Sequence, residues 1–201
     1  MATTTSHQEG SVGTRSEGVT GAIPEDHGHG IGPRLTGDQV WQALAKASFA
    51  YLSHVTPSGE PRSSGVVYKV VGGRLCVAVS PDSWKARHIA ANRRVAVTVP
   101  VRRAGSCRSW RPPATVTFHG QATVHPSGSA QARSLLKEMG SLIPPERRTS
   151  GSIVEVLPEC EFLTYGLGVS LRKMFDPTGA QERVPVTRAA VRRVYREGSR
   201  R

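Results

Sequence analysis

Two adjacent glycines, Gly72 and Gly73, separate the β-branched runs 62–71 and 75–80. Glycine enters a left-handed backbone without steric cost, and a two-residue turn of that hand matches the twist of paired strands. The pair therefore predicts a tight antiparallel hairpin. The run 49–55 before it is rich in β-formers and ends at Pro57-Ser58-Gly59-Glu60-Pro61, turn chemistry that predicts a second hairpin.

The same periodicity continues downstream. Strands are predicted at 94–101, 114–124 and 153–165, the last interrupted by Pro158 and so placed at an edge or a bulge. Short helices fill the gaps. One covers 39–46, capped by Thr36 or Asp38 and burying Val40, Leu44 and Ala47. Another covers 83–92, capped by Ser83, with Trp84, His88 and Ala91 at helical spacing. A third covers 126–140, led by Ser127 or Ser129, with Ala132, Leu135, Leu136 and Met139 as its stripe. A weak basic helix is expected at 189–196. Five or six antiparallel strands with short turns predict a mainly β chain, a small closed or half-closed barrel with flanking helices.

Composition divides the chain. The hydrophobic share is 37%, and the deficit concentrates in residues 1–34, which hold Thr, Ser, Gly and His with almost no apolar run. Such a segment cannot bury enough surface to offset its ordering entropy, so it reads as a disordered tail before a domain at 35–187. Residues 188–201 form a basic tail. Three cysteines, Cys76, Cys107 and Cys160, make no CxxC pair and no disulfide framework. With no apolar span and no signal core, the expected compartment is the cytoplasm. The net charge of +12 comes largely from Arg102, Arg103, Arg108 and Arg111 and from the Arg188–Arg201 cluster. Neither burst carries interleaved aromatics or a nucleic-acid motif, so solvated faces are the expected reading and nucleic acid is not an expected partner.

Several chemistries are absent from the sequence. No GxGxxG or P-loop occurs, and the histidines lack metal-ligand spacing, so no metal site is expected. The informative residues are Arg62-Ser63-Ser64 and the turn Ser80-Pro81-Asp82-Ser83-Trp84-Lys85. A helix N-terminus offers unpaired N–H donors to an anion. Ser83 adds a hydroxyl, Lys85 an ammonium, and Arg62 from the neighbouring strand a fork for phosphate. The same residues also suit a capped helix end with ordinary surface charges.

Residues 48–125 resemble the flavin-binding split barrel of the pyridoxamine-phosphate-oxidase superfamily. The resemblance runs through the Pro-Ser-Gly-Glu-Pro turn, Arg62, Tyr68-Lys69, the strand Leu75-Cys76-Val77-Ala78-Val79 and Ser83-Trp84-Lys85-Ala86. It continues through Asn92, the strand at 95–99 and Val116-Thr117-Phe118-His119-Gly120-Gln121-Ala122. It implies a six-stranded antiparallel Greek-key split barrel that forms a homodimer and binds FMN in a cleft between subunits. By the same resemblance Arg62, Ser83 and Lys85 hold the phosphate tail, Ser63 and Ser64 lie near the ribityl chain or ring, and Ser80 completes the cofactor set. Lys69 matches a second basic position of the oxidases themselves. Two departures stand out: Trp84 replaces an Arg in the usual Ser-Arg-Lys run, and the Arg-x-His near the chain end is missing. Oxidation of vitamin B6 is therefore not expected.

The implied activity is a flavin-dependent oxidoreductase moving hydride to or from a small organic substrate, with no obligatory catalytic acid or base. Tyr51, His54, Tyr68 and His119 are the only candidate proton donors near the cleft, and none is favoured. The deazaflavin coenzyme F420 is the alternative cofactor. A non-catalytic flavin or haem binder is the alternative function, with His54, His88 and His119 equally placed for haem.

Overall fold

The computed structural model describes residues 35–102, 113–145 and 148–186. The expected tails 1–34 and 188–201, the helix at 189–196, Cys107 and the arginines Arg103, Arg108 and Arg111 lie outside the described residues.

Helix α1, Gly37–Lys46, starts at Thr36, whose hydroxyl accepts from the Gln39 N–H while the Gln39 side chain accepts from the Thr36 N–H. This reciprocal cap satisfies two donors that the first turn would otherwise leave unpaired. Strands β1, Phe49–Val55, β2, Pro61–Val71, and β3, Arg74–Val79, form an antiparallel meander. As the sequence predicts, Gly72 and Gly73 turn the β2–β3 hairpin, both at positive φ. Helix α2, Trp84–Ala91, leads to β4, Arg94–Val101, which returns beside β1, the step that makes the topology a Greek key. Strand β5, Ala114–His125, helix α3, Ala130–Met139, and a 3₁₀ turn, Gly140–Leu142, follow. Strand β6, Ser152–Tyr165, closes the sheet.

The strand order is β3-β2-β1-β4-β5-β6, and β6 pairs back onto β3, so six strands form a closed antiparallel barrel. Strand β6 leaves the barrel halfway along. Residues 152–156 pair with β3, and residues 161–165 pair instead with β7, Gln181–Pro185. Between the pairs Phe118↔Phe162 and Gly120↔Pro158, β5 advances by His119 alone while β6 passes through Glu159, Cys160 and Glu161. Cys160 takes a φ of 57° there. The irregularity expected at Pro158 is thus where the barrel splits. Strand β7 and the short helices α4, Leu171–Met174, and α5, Pro177–Ala180, are additions to the six strands and the three helices that the sequence reading places within the described residues. A segment that short carries too few positions to show a period.

Inward positions of the six barrel strands are mostly apolar, with His54 of β1 and Ser64 of β2 as polar exceptions. Trp41, Tyr68, Phe118 and Phe162 are fully buried, with Phe162 edge-on to both Trp41 and Phe118. Truncating one such large side chain typically costs about 3–5 kcal/mol, so this cluster holds α1 on the barrel. The Tyr68 hydroxyl donates to the Leu44 carbonyl at 2.7 Å, tying β2 to α1. Helix α3 packs the outer side of β3 and β6 through the expected Ala132, Leu135, Leu136 and Met139, against Cys76 and Ile153. Ser129 caps it, accepting from the Ala132 N–H. Helix α2 differs from its reading. Its buried residues are Ala86 and Ile89, while Trp84 is 43% exposed and its ring sits beside those of His54 and His88. Among the described residues no helix is long and apolar enough to cross a membrane.

Candidate functional site

A cleft of about 380 Å³ runs along the outer side of β2 and β3 where α2 begins. Gly65, Val66 and Val67 of β2 and Ala78 and Val79 of β3 form its floor. Ser80, Ser83 and Lys85 form a polar end, and Met139, Leu142, Ile143 and Pro144 form an apolar wall. Gly151 closes the lining. The alternation of β2 dictates this. Val66 and Tyr68 turn into the barrel, which leaves Gly65 and Val67 outward, and the Phe49 ring takes the space over Gly65.

The polar end is built by the turn after β3. The Ser83 N–H donates to the Ser80 carbonyl at 3.0 Å, and Ser83 takes the capping position of α2. Its side chain makes no capping hydrogen bond, unlike Thr36 and Ser129 at the starts of α1 and α3. The Ser83 hydroxyl and the first-turn N–H groups of Trp84, Lys85 and Ala86 therefore remain available to an anion. The Lys85 ammonium borders the same end, 5.6 Å from the centre of the Trp84 ring.

The structure brings three of the six sequence-predicted residues, Ser80, Ser83 and Lys85, into the cleft lining. The other three lie on β2 beyond Gly65. Arg62 is half-exposed and forms an ion pair with Glu60 at 2.7 Å. Ser63 faces outward and accepts from the Ser53 hydroxyl at 3.0 Å. Ser64 turns inward opposite Leu52, and its hydroxyl is buried with no hydrogen-bond partner among the described residues. Lys69 donates to the Glu138 carbonyl at the end of α3.

None of the candidate proton donors lines the cleft. Tyr51 is on the outer sheet face, 49% exposed. Burial pushes the Tyr68 hydroxyl above its ordinary range. His119 sits exposed at the irregularity in β5. His54 is buried, and burial, with the nearby His88 and Lys85 charges, holds its imidazole below the usual value of 6.5. Cys76 is no nucleophile, since burial and the Glu155 carboxylate push its thiol up to about 12.

The apolar wall escaped the sequence reading. Met139 shows there as part of the α3 stripe, but Leu142, Ile143 and Pro144 follow the helix in a turn with no period. Nothing local marks their approach to β2.

Beside the cleft, the outer face of the sheet is free of charge over a row of five cross-strand partners. Gly65, Tyr51, Thr98, Thr117 and Leu163 follow one another across β2, β1, β4, β5 and β6. Phe49 and Val67, paired with each other, flank the row at 43% and 48% exposed. The Phe49 ring lies over Gly65 and meets Tyr51 edge-on, with centroids 5.2 Å apart.

Comparison with two solved structures supports this architecture. The chain is similar to HutZ, a haem storage protein from Vibrio cholerae, at 16% identity over 65% of this chain and 94% of that one, with a TM-score of 0.53. It is similar to a haem-binding protein from Mycobacterium smegmatis at 18% identity over 80% of this chain and 62% of that one, also with a TM-score of 0.53. An F420 reductase is similar at 20% identity over 60% of this chain and 93% of that one, with a TM-score of 0.46. No curated protein matches by sequence. A family model described as pyridoxamine 5'-phosphate oxidase matches residues 36–157, which span α1, the whole cleft lining and the barrel through its closing strand pair. The chain belongs to the pyridoxamine 5'-phosphate oxidase family.

Proposed function

We propose that the chain binds a phosphate-tailed flavin, FMN, in the cleft along β2 and β3 and acts as an oxidoreductase that moves hydride to or from a small organic substrate. The observation that carries this reading is the cleft's division into two ends. The Ser83 hydroxyl, the Lys85 ammonium and the start of α2 suit a phosphate. The wall of Met139, Leu142, Ile143 and Pro144 suits a flat apolar ring. The flavin, when bound, supplies the hydride chemistry, and the chain's residues bind it, orient it and keep water away.

Within this reading Ser80, Ser83 and Lys85 hold the phosphate. Arg62 joins the phosphate end by exchanging Glu60 for it, and Ser63 extends the polar edge along β2. Ser64, whose side chain turns inward, presents only its backbone to a ligand. The domain is taken as 35–187, with 1–34 and 188–201 as tails.

A second copy of the chain is the proposed occupant of the uncharged face formed by Tyr51, Thr98, Thr117, Leu163, Phe49 and Val67. Exposed apolar side chains gathered on a flat sheet mark an interface, and Gly65 belongs both to this face and to the cleft. A homodimer formed there completes the cleft. The deazaflavin F420 fits the same two ends, and its acidic tail suits a net charge of +12.

Quenching of FMN and F420 fluorescence by added protein tests the reading. Saturable quenching of FMN at micromolar protein is expected. Quenching by F420 alone would move the assignment to the deazaflavin. No response to either, with a Soret shift on adding haem, would transfer it to the haem function named for two of the similar structures.

A further inference from the structure

The far end of β1 carries a cluster that the cleft does not use. His54, inward on β1, is 3% exposed, and its Nε2 lies 3.4 Å from Nδ1 of His88 on α2. The Trp84 ring sits 5.5 Å from each imidazole. The other nitrogen of His54, Nδ1, is buried with no hydrogen-bond partner among the described residues.

Two occupants suit a pair of imidazole nitrogens at this spacing, a metal ion or a proton. Two Zn–N bonds of about 2.0–2.1 Å at a tetrahedral angle would place the nitrogens roughly 3.3 Å apart. The surroundings oppose a cation, however. Among the described residues no group of three or more ligating side chains exists, and the Lys85 charge acts directly on His54. A single shared proton needs neither a third ligand nor a counter-charge.

We propose that the His54–His88 contact is an acid-sensitive latch that holds α2, and with it Ser83 and Lys85, against β1, and that releases the helix once both rings are charged. With one or both rings neutral, one nitrogen can accept from the other. With both charged, all four nitrogens are donors and the contact becomes repulsive.

Among the described residues, the charges that act on His54 are those of His88 and Lys85, and both oppose a further positive charge. On α2 the nearest charged group is Lys85, and on β2 the residue opposite His54 is Arg62, which already holds the Glu60 carboxylate. The buried side chains of β4 and β5, Val95 and Ala122 among them, are apolar. A charged His54 would also bury a second N–H with no acceptor. Release is therefore expected below the ordinary imidazole range, as the pH falls through the lowered value of His54.

Hydrogen exchange of the full chain, without ligand, tests this at about pH 7.5 and about pH 5 after correction for intrinsic rates. Peptides covering 84–91 are expected to lose at least about tenfold more protection on acidification than peptides from 95–99 and 114–118. His54→Leu, which replaces the ring with an apolar side chain suited to the barrel interior, is expected to abolish the difference. His88→Gln, at a half-buried position, should do the same and carries the test if His54→Leu fails to fold. Uniform loss across all peptides, no loss in α2, or loss that persists in the folded variants would overturn the latch. Because no cofactor enters the measurement, its outcome is separate from that of the flavin reading.

Discussion

Gly120 lies so close to Leu157 that a Cβ on the glycine would sit 2.5 Å from the Leu157 carbonyl oxygen. The contact joins β5 to β6 beside the irregularity where β6 leaves the barrel. The obstacle is backbone, which cannot rotate aside as a side chain can. Gly120→Ala is therefore expected to destabilise the fold by about 1–3 kcal/mol, read as a lower urea midpoint. An unchanged midpoint would show that the two strands separate freely there.

Glu155 accepts from both Arg74, at 2.9 Å, and His125, at 2.8 Å. Burial alone would raise its carboxyl, but the hydrogen bonds and charges of His125 and Arg74 outweigh burial and hold it below its ordinary 4.5. The folded form thus binds this proton less readily than the unfolded chain. The stabilisation is fully present above the unfolded value and is lost as the pH falls from about 4.5 through the folded value. Glu155→Gln is expected to cost about 1–2 kcal/mol at neutral pH and to flatten the acid limb of a stability–pH curve. A parallel acid limb in the variant would assign that limb to other groups.

Ser83→Ala and Lys85→Ala separate binding from folding. Ser83 makes no capping bond, so its loss is expected to leave the urea midpoint nearly unchanged. Each substitution removes a contact to a charged phosphate, worth about 1.5–3 kcal/mol, and is expected to weaken FMN binding at least about tenfold. Riboflavin, which lacks the phosphate, should bind both variants as it binds the parent. An equal loss for riboflavin would mean that the cleft itself had changed shape.

Arg62 and Glu60 are both exposed, so their pair contributes little to stability, about 0–1 kcal/mol at most. Glu60→Gln is expected to leave the fold intact and to strengthen FMN binding severalfold by releasing the guanidinium. Titration of the variant with FMN reads the effect directly. Unchanged or weaker binding would place Arg62 outside the cofactor's reach.

Much of the barrel was legible because its signals are local. The Gly72-Gly73 turn, the Pro57–Pro61 turn, the stripe of α3 and the break at Pro158 each depend on residues close in sequence. The closure of β6 onto β3 joins Leu75 to Val156 and Cys76 to Glu155, partners that no local pattern announces. The family resemblance supplied that closure. The site divides in the same way. Ser80, Ser83 and Lys85 occupy one turn and could be read together, whereas Met139 to Pro144 reach the cleft only through the packing of α3 on β3 and β6. The helical spacing of Trp84 and His88 was legible, but their meeting with His54 of β1 was not, because that contact joins residues distant in sequence.

The hairpin turned by Gly72 and Gly73 sets β2 and β3 side by side, and the central claim is that the cleft along them holds a phosphate-tailed flavin. The most direct measurement is the visible absorption spectrum of the full chain after incubation with FMN and removal of free cofactor by gel filtration. The account expects the two visible bands of an oxidised flavin at about one FMN per chain, diminished in Ser83→Ala and Lys85→Ala. A colourless protein that also fails to retain F420 would contradict it.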